Sequence, residues 1–121
     1  MLYDTFLNDS EKSVILARIV AHLMGDGCVT KKYFAYYNKN QDLLNNFEND
    51  LNSLFANLHF TKGKVNSGVP FVMVQNKEIN LFLRSILEDY RSFSLHMPSF
   101  INNKKLYKEF LSAFYDDEGC V

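Results

Sequence analysis

Ile19-Val20-Ala21-His22-Leu23-Met24-Gly25-Asp26-Gly27 closes an apolar stretch that begins at Val14 and reads as a helix. The chain then continues Cys28-Val29, so the ending as a whole is Asp26-Gly27-Cys28-Val29. The same ending recurs near the other terminus as Glu118-Gly119-Cys120-Val121. It follows a second helical run, Tyr107-Lys108-Glu109-Phe110-Leu111-Ser112-Ala113-Phe114-Tyr115-Asp116-Asp117. A carboxylate at the end of a buried helix is costly unless it is paired or holds a cation. Two such ends in one small protein point to two acids, Asp26 and Glu118, brought together around a metal.

Composition bounds the remaining possibilities. A chain of 121 residues with 47% apolar content supports one domain, 1–121, with one real core. No run of about 18 uncharged apolar residues is present, so no membrane span is expected. Met1-Leu2-Tyr3-Asp4 lacks the basic lead of a signal peptide. Cys28 and Cys120 are the only cysteines and are expected to be reduced, in keeping with a cytoplasmic protein. The net charge of -1 argues at first against a nucleic-acid partner. It hides an asymmetry, however. Segments 27–41 and 59–77 contain Lys31, Lys32, Lys39, Lys62, Lys64 and Lys77 and no Asp or Glu. If these segments form one sheet, that sheet carries a positive field; lysines that guard strand edges against aggregation explain the pattern equally well.

Periodicity gives an α+β order. A helix is expected over 10–25, with Asn8, Asp9 or Ser10 as its N-cap. Two β-hairpins with an intervening helix follow over 27–77: strands Cys28–Thr30 and Tyr33–Asn38, a helix from Gln41 to Leu58, then strands His59–Val65 and Val69–Val74 around Asn66-Ser67-Gly68. A helix over 78–90, a break at Met97-Pro98-Ser99-Phe100-Ile101, and a last helix over 104–119 complete the chain. Ala17, Ala21 and Gly25 lie four apart on the first helix, a small-residue stripe that permits close approach of another helix. Ala113 is the matching small residue on the last helix. Mating these helices would set Asp26 and Glu118 side by side. Ordinary helix–sheet packing is the alternative explanation of the stripe.

These residues resemble the LAGLIDADG homing endonucleases. Residues 19–27 are similar to the first signature of that family, and Leu111-Ser112-Ala113-Phe114-Tyr115-Asp116-Asp117-Glu118-Gly119 to the second. Tyr37-Asn38-Lys39-Asn40 before the long helix, the Val72 to Glu78 junction, and Met97-Pro98-Ser99-Phe100-Ile101 extend the resemblance to archaeal-type members. It implies an α-β-β-α-β-β-α half-saddle plus the second signature helix. It also implies that the two signature helices form a central interface, that Asp26 and Glu118 are catalytic and bind Mg²⁺ or Mn²⁺, and that duplex DNA is hydrolysed at its phosphodiesters. The sheet of such a protein lies in the major groove.

If Phe34, Tyr36, Val72 and Val74 face the core, the opposite face carries Tyr33, Ala35, Tyr37, Met73 and Gln75. Lys62, Lys64 and Asn66 are expected to extend that face, as are Thr30, Lys31 and Lys32. The lysines would meet phosphates, while Gln75, Asn66 and Thr30 can read bases. Tyr33 and Tyr37 are equally suited to covering a partner surface. A register slip of one residue would exchange the two faces.

Departures from the family pattern are also legible. The second acid is Glu rather than Asp, His22 stands in an apolar helix and reads as a structural histidine, and Asp117 occupies a position where small residues are frequent. The sequence ends three residues after Glu118, whereas a two-signature enzyme continues into a second sheet. Three arrangements accommodate that ending: a missing C-terminal second repeat, a homodimer, or a remnant that no longer cuts. The competing function is therefore a non-catalytic nucleic-acid-binding module of the same fold, such as an RNA-splicing maturase or a transcriptional regulator. A protein-interaction domain has no motif of its own here. An intein is disfavoured, because the sequence neither begins with Cys or Ser nor ends in Asn.

Overall fold

A computed structural model describes residues 9–55, 58–87 and 104–118. They are ordered α1 (Ser10–Asp26), β1 (Gly27–Val29), β2 (Phe34–Tyr37), α2 (Gln41–Leu54), β3 (Phe60–Lys64), β4 (Pro70–Val74), α3 (Lys77–Leu87) and α4 (Lys104–Glu118). Short polar side chains start three of these helices. Asp9 Oδ1 accepts from the Glu11 and Lys12 amides at 3.0 Å. Asn40 Oδ1 accepts from the Asp42 amide at 2.9 Å, and Asn76 Oδ1 from the Ile79 amide at 3.1 Å. Each satisfies amides that no helical carbonyl can reach, which contributes about 1 kcal/mol per cap. The helix expected to run to Leu58 stops at Leu54. Phe55 turns extended, stays buried, and returns its amide to the Leu51 carbonyl at 2.8 Å. Residues 88–103, including the break expected at 97–101, lie outside the described residues, as do Ala56 and Asn57.

The four strands form one antiparallel sheet in the order β1-β2-β4-β3. Opposed residues share a face, so the register sorts the side chains. One row runs Gly27, Tyr36, Val72, Lys62, and a second runs Val29, Phe34, Val74, Phe60. Phe34, Tyr36, Val72 and Val74 are all nearly inaccessible, which identifies this as the inner face, packed under the helices. The rows Cys28, Ala35, Met73, Thr61 and Tyr37, Phe71, Gly63 make up the outer face. Gly68, at φ +88°, takes the left-handed position in the β3–β4 turn that glycine occupies without strain.

This register corrects one expectation. Lys62 and Lys64 do not extend the outer face; they share the parity of Phe60, which packs against the core. Lys62 sits opposite buried Val72, and its ammonium meets Glu48 of α2 at 2.8 Å on the helix side of the sheet.

The helices bury one continuous core against the inner face. Leu16, Ile19 and Val20 of α1, Leu44, Phe47 and Leu51 of α2, and Leu83 of α3 are all essentially inaccessible. Burying each such side chain contributes about 1.5–3 kcal/mol. Helices α1 and α4 pack together more extensively than any other pair of elements. Ala17 and Ala21 are fully buried on α1 and Ala113 on α4, whereas Gly25 is half-buried.

Above this apolar layer, Arg18 ties three helices together. Its Nε and Nη2 donate to the two carboxylate oxygens of Asp50 at 3.0 and 2.8 Å, and its Nη1 lies 3.6 Å from Glu109 of α4. The Asp50 hydrogen bonds raise the guanidinium further above its already high value. Arg18→Ala would strand a carboxylate that is only 12% exposed. Arg18 itself is about one-third exposed, so the cost lies between that of surface and buried pairs, about 2 kcal/mol. Thermal unfolding followed by circular dichroism should show a fall of roughly 6–12 °C.

Candidate metal and nucleic-acid site

Asp26 is the last residue of α1 and is exposed. A carboxylate there faces the negative end of the helix dipole, an arrangement that favours a cation beside it. Gly27 ends the helix and begins β1 without a break, its amide returning to the Leu23 carbonyl. The turn is possible only because Gly27 lacks a side chain. A Cβ at that position would lie 2.7 Å from the Leu23 Cα and 2.8 Å from the Ala35 carbonyl oxygen.

Asn38 connects Asp26 to its surroundings. Its Nδ2 donates to Asp26 Oδ2 at 3.4 Å and to the hydroxyl of fully buried Tyr36 at 3.2 Å. Its Oδ1 accepts from the Asn40 amide at 2.8 Å, where α2 is capped. A long hydrogen bond through the Asn38 amide thus links the Asp26 carboxylate to the buried Tyr36 hydroxyl.

Glu118 closes α4, but its carboxylate lies outside the described residues, as do Gly119 and Cys120. Among the described residues, no three His, Cys, Asp or Glu side chains gather around a common point. The donor available at Asp26 is a hard carboxylate oxygen held by an amide. That chemistry suits Mg²⁺ or Mn²⁺, ions that complete their shells with water and phosphate oxygens.

Beside Asp26 the outer face of the sheet is aromatic and apolar at its centre. The rings of Tyr37 and Phe71 lie 5.7 Å apart, and Phe71 covers the bare backbone of Gly63, where a Cβ would meet the ring at 3.1 Å. Cys28 Sγ lies 3.8 Å from the Tyr37 hydroxyl. Burial, with the Cys28 thiol beside it, pushes that hydroxyl up to about 12, so it stays protonated at neutral pH. Of the residues expected on this face, Gln75 and Asn66 are exposed, and Tyr33 and Tyr37 are half-buried.

Thr30 proves to have a local role. Its hydroxyl accepts from the Lys32 and Tyr33 amides at 3.2 and 3.0 Å and donates to the Tyr33 carbonyl at 3.0 Å. It builds the β1–β2 turn and has little capacity left for a base edge. Asn80 of α3, itself buried, donates its Nδ2 to the Thr30 carbonyl and holds the turn from below. Lys31 and Lys32 project from this fixed turn and are exposed, as is Lys39.

His22 is 4% exposed, with its ring 4.9 Å from that of Tyr36 and 6.3 Å from that of Phe47. It lines a cavity of about 280 Å³ with Arg18, Asn46, Asp50, Glu109 and Ser112. Asn38, Asn80, Cys28 and Phe71 were not among the expected site residues. Asn38 and Asn80 act through single long-range hydrogen bonds that leave no periodic trace. Phe71 had a signal in strand parity, since it alternates with inner Val72.

No protein-family model and no curated protein matches the chain. Among solved structures it superposes on mesophilic variants of the homing endonuclease I-DmoI with a TM-score of 0.62 and 16% identity, over 85% of this chain and 56% of that one. An I-DmoI variant in complex with its target DNA in the presence of Mn gives a TM-score of 0.65 at 16% identity, over 87% and 60%. I-DmoI in complex with DNA and Ca gives 0.60 at 16% identity, over 88% and 58%. The chain thus spans 56–60% of the length of these I-DmoI chains. No helix among the described residues is long and apolar enough to cross a membrane. At this identity the likeness establishes architecture: among the described residues, four helices and a four-stranded antiparallel sheet have the fold of the LAGLIDADG homing endonucleases.

Proposed function

We propose that this chain binds duplex DNA on the outer face of its sheet and is, or forms part of, a metal-dependent DNA endonuclease. The observation that carries the reading is the placement of Asp26: an exposed carboxylate at the C-terminus of the helix that packs most extensively on α4, directly where that helix enters the sheet. Glu118, at the end of α4, is the second acid of the proposed site. Asp26 and Glu118 would hold Mg²⁺ or Mn²⁺. The ions would supply an activated water and stabilise the leaving oxygen of a phosphodiester. Asn38 would fix the orientation of the Asp26 carboxylate, and Lys31, Lys32 and Lys39 would meet phosphates. Tyr33, Gln75 and Asn66 remain candidates for contacts along the groove.

Charge supports duplex DNA as the partner. Segments 27–41 and 59–77 contain no Asp or Glu, and Lys31, Lys32 and Lys39 stand exposed at the two ends of β2. Binding to a duplex containing a selected site should weaken with salt, with a slope of about −3 in a plot of log affinity against log salt. Replacing both Lys31 and Lys32 by alanine should reduce the slope by about 2 and leave sequence preference unchanged. Fluorescence anisotropy across a salt series measures both quantities. Salt-independent binding, or none, would refute the reading. Salt-dependent binding without cleavage in Mg²⁺ or Mn²⁺ would identify a nucleic-acid-binding module that does not cut.

A further inference from the structure

The centre of the outer face offers few hydrogen-bonding groups to a base. Cys28, Ala35 and Met73 form one row across β1, β2 and β4, and Tyr37 and Phe71 form the next. Ala35 is fully covered by its neighbours, leaving half-buried Met73, Phe71, Tyr37 and Cys28 as the surface. Two of the hydroxyls nearby are already engaged. The Tyr37 hydroxyl lies against Cys28 Sγ, and the Thr30 hydroxyl is used within its own turn. Exposed hydrogen-bonding side chains on this side stand at the margins, at Thr61 on the edge strand and at Gln75 after β4. Around this apolar centre stand exposed Lys31, Lys32 and Lys39, with the Asp26 carboxylate at the head of β1 and no acid within the two sheet-forming segments.

A surface that is cationic at its edges and apolar at its centre matches one feature of the major groove. Thymine alone presents a methyl group there, and apolar side chains distinguish it by contact. Resting on the duplex-DNA reading above, we infer that Met73, Phe71 and Tyr37 read thymine 5-methyl groups, so that the half-site beneath β2 and β4 is rich in A·T pairs. Sequence preference at the centre of this face is then set by methyl burial, and hydrogen-bond readout is confined to its margins. Met73 is the residue best suited to this role, since its unbranched thioether adapts to the position of a methyl group.

The test begins with selection of duplexes by the full chain from a randomised pool. Thymines in the selected site are then replaced one at a time by deoxyuridine, which removes only the methyl. Each replacement beneath the sheet centre should weaken binding about threefold, whereas replacements outside the footprint should have no effect. Met73→Gln should abolish the deoxyuridine effect at its own position while the salt slope persists. Duplex binding with normal salt dependence but no response to deoxyuridine would overturn this inference and leave the DNA-binding reading intact. Absence of duplex binding would overturn both. Stronger binding to single strands, by base stacking on Tyr37 and Phe71, would replace methyl readout with a different mode of recognition.

Discussion

Gly27→Ala is expected to destabilise the protein by about 3 kcal/mol, a large share of the 5–15 kcal/mol that holds a typical domain together. The cost does not come from backbone angles, because Gly27 has an extended φ of -123° that alanine adopts freely. It comes from collision. The added methyl would lie 2.7 Å from the Leu23 Cα, 2.8 Å from the Ala35 carbonyl oxygen and 2.9 Å from Leu23 Cδ2. Two of these three atoms are backbone and cannot rotate away, so the last turn of α1 must separate from β2. That separation also loosens the pairing of Gly27 with Tyr36 and shifts Asp26 relative to Asn38. Gly63→Ala is the control. Its methyl would approach only the Phe71 ring, at 3.1–3.2 Å, which can yield by a small rotation. Chemical denaturation should place Gly63→Ala within about 1 kcal/mol of the unaltered protein and Gly27→Ala well below both. Equal effects at the two positions would mean that the α1–β1 turn is not the tight point described above.

The difference between these two glycines illustrates what is legible in the sequence. The Asp26-Gly27 ending declares itself by its repetition, and the helices and hairpins by their periods. The inner face was equally readable, because Phe34, Tyr36, Val72 and Val74 alternate along their strands. Lys62 and Lys64 lie on the inner face, against the expectation from their charge, although the strand's alternation carries that information. Phe60 shares their parity and packs inward, but charge suggested exposure more strongly than alternation suggested burial. A lysine at a sheet edge satisfies both demands by reaching a carboxylate on the neighbouring helix, as Lys62 does with Glu48. The β2 strand hid its alternation for a related reason: Ala35 is covered by larger neighbours and is as inaccessible as Phe34 and Tyr36.

Other features could not have been read. Asn38 and Asn80 are two asparagines among many, and what distinguishes them is a partner reached through the fold. Asn80 holds a turn 50 residues earlier in the chain. Such contacts depend on the final packing of elements and carry no local pattern. The Arg18–Asp50 pair is similar, because it joins α1 to α2 only after both helices have packed on the sheet.

Asp26→Asn is expected to separate metal binding from folding. In metal-free solution the substitution keeps the side-chain shape and can retain an interaction with Asn38. It also removes a negative charge from the unfavourable end of α1, so stability should change by no more than about 1 kcal/mol. With Mn²⁺ present the two proteins should diverge. An ion that binds only the folded protein raises its stability by RT ln(1 + [L]/Kd), about 2.7 kcal/mol at a hundredfold excess over Kd. Thermal shift in a manganese titration should rise for the unaltered protein and stay flat for Asp26→Asn. Asn38→Ala should fall between them, with affinity reduced roughly 10–100-fold, because the carboxylate persists but loses the hydrogen bond from Asn38. Cleavage of a selected duplex should fall with the same order, by at least about a hundredfold for Asp26→Asn, while duplex binding on the sheet face is retained. A manganese response equal in all three proteins would place the ion elsewhere and remove Asp26 from the proposed site. A response lost in Asp26→Asn without any cleavage to lose would leave a metal-binding DNA module, in which the acid serves adhesion to the phosphate backbone rather than hydrolysis.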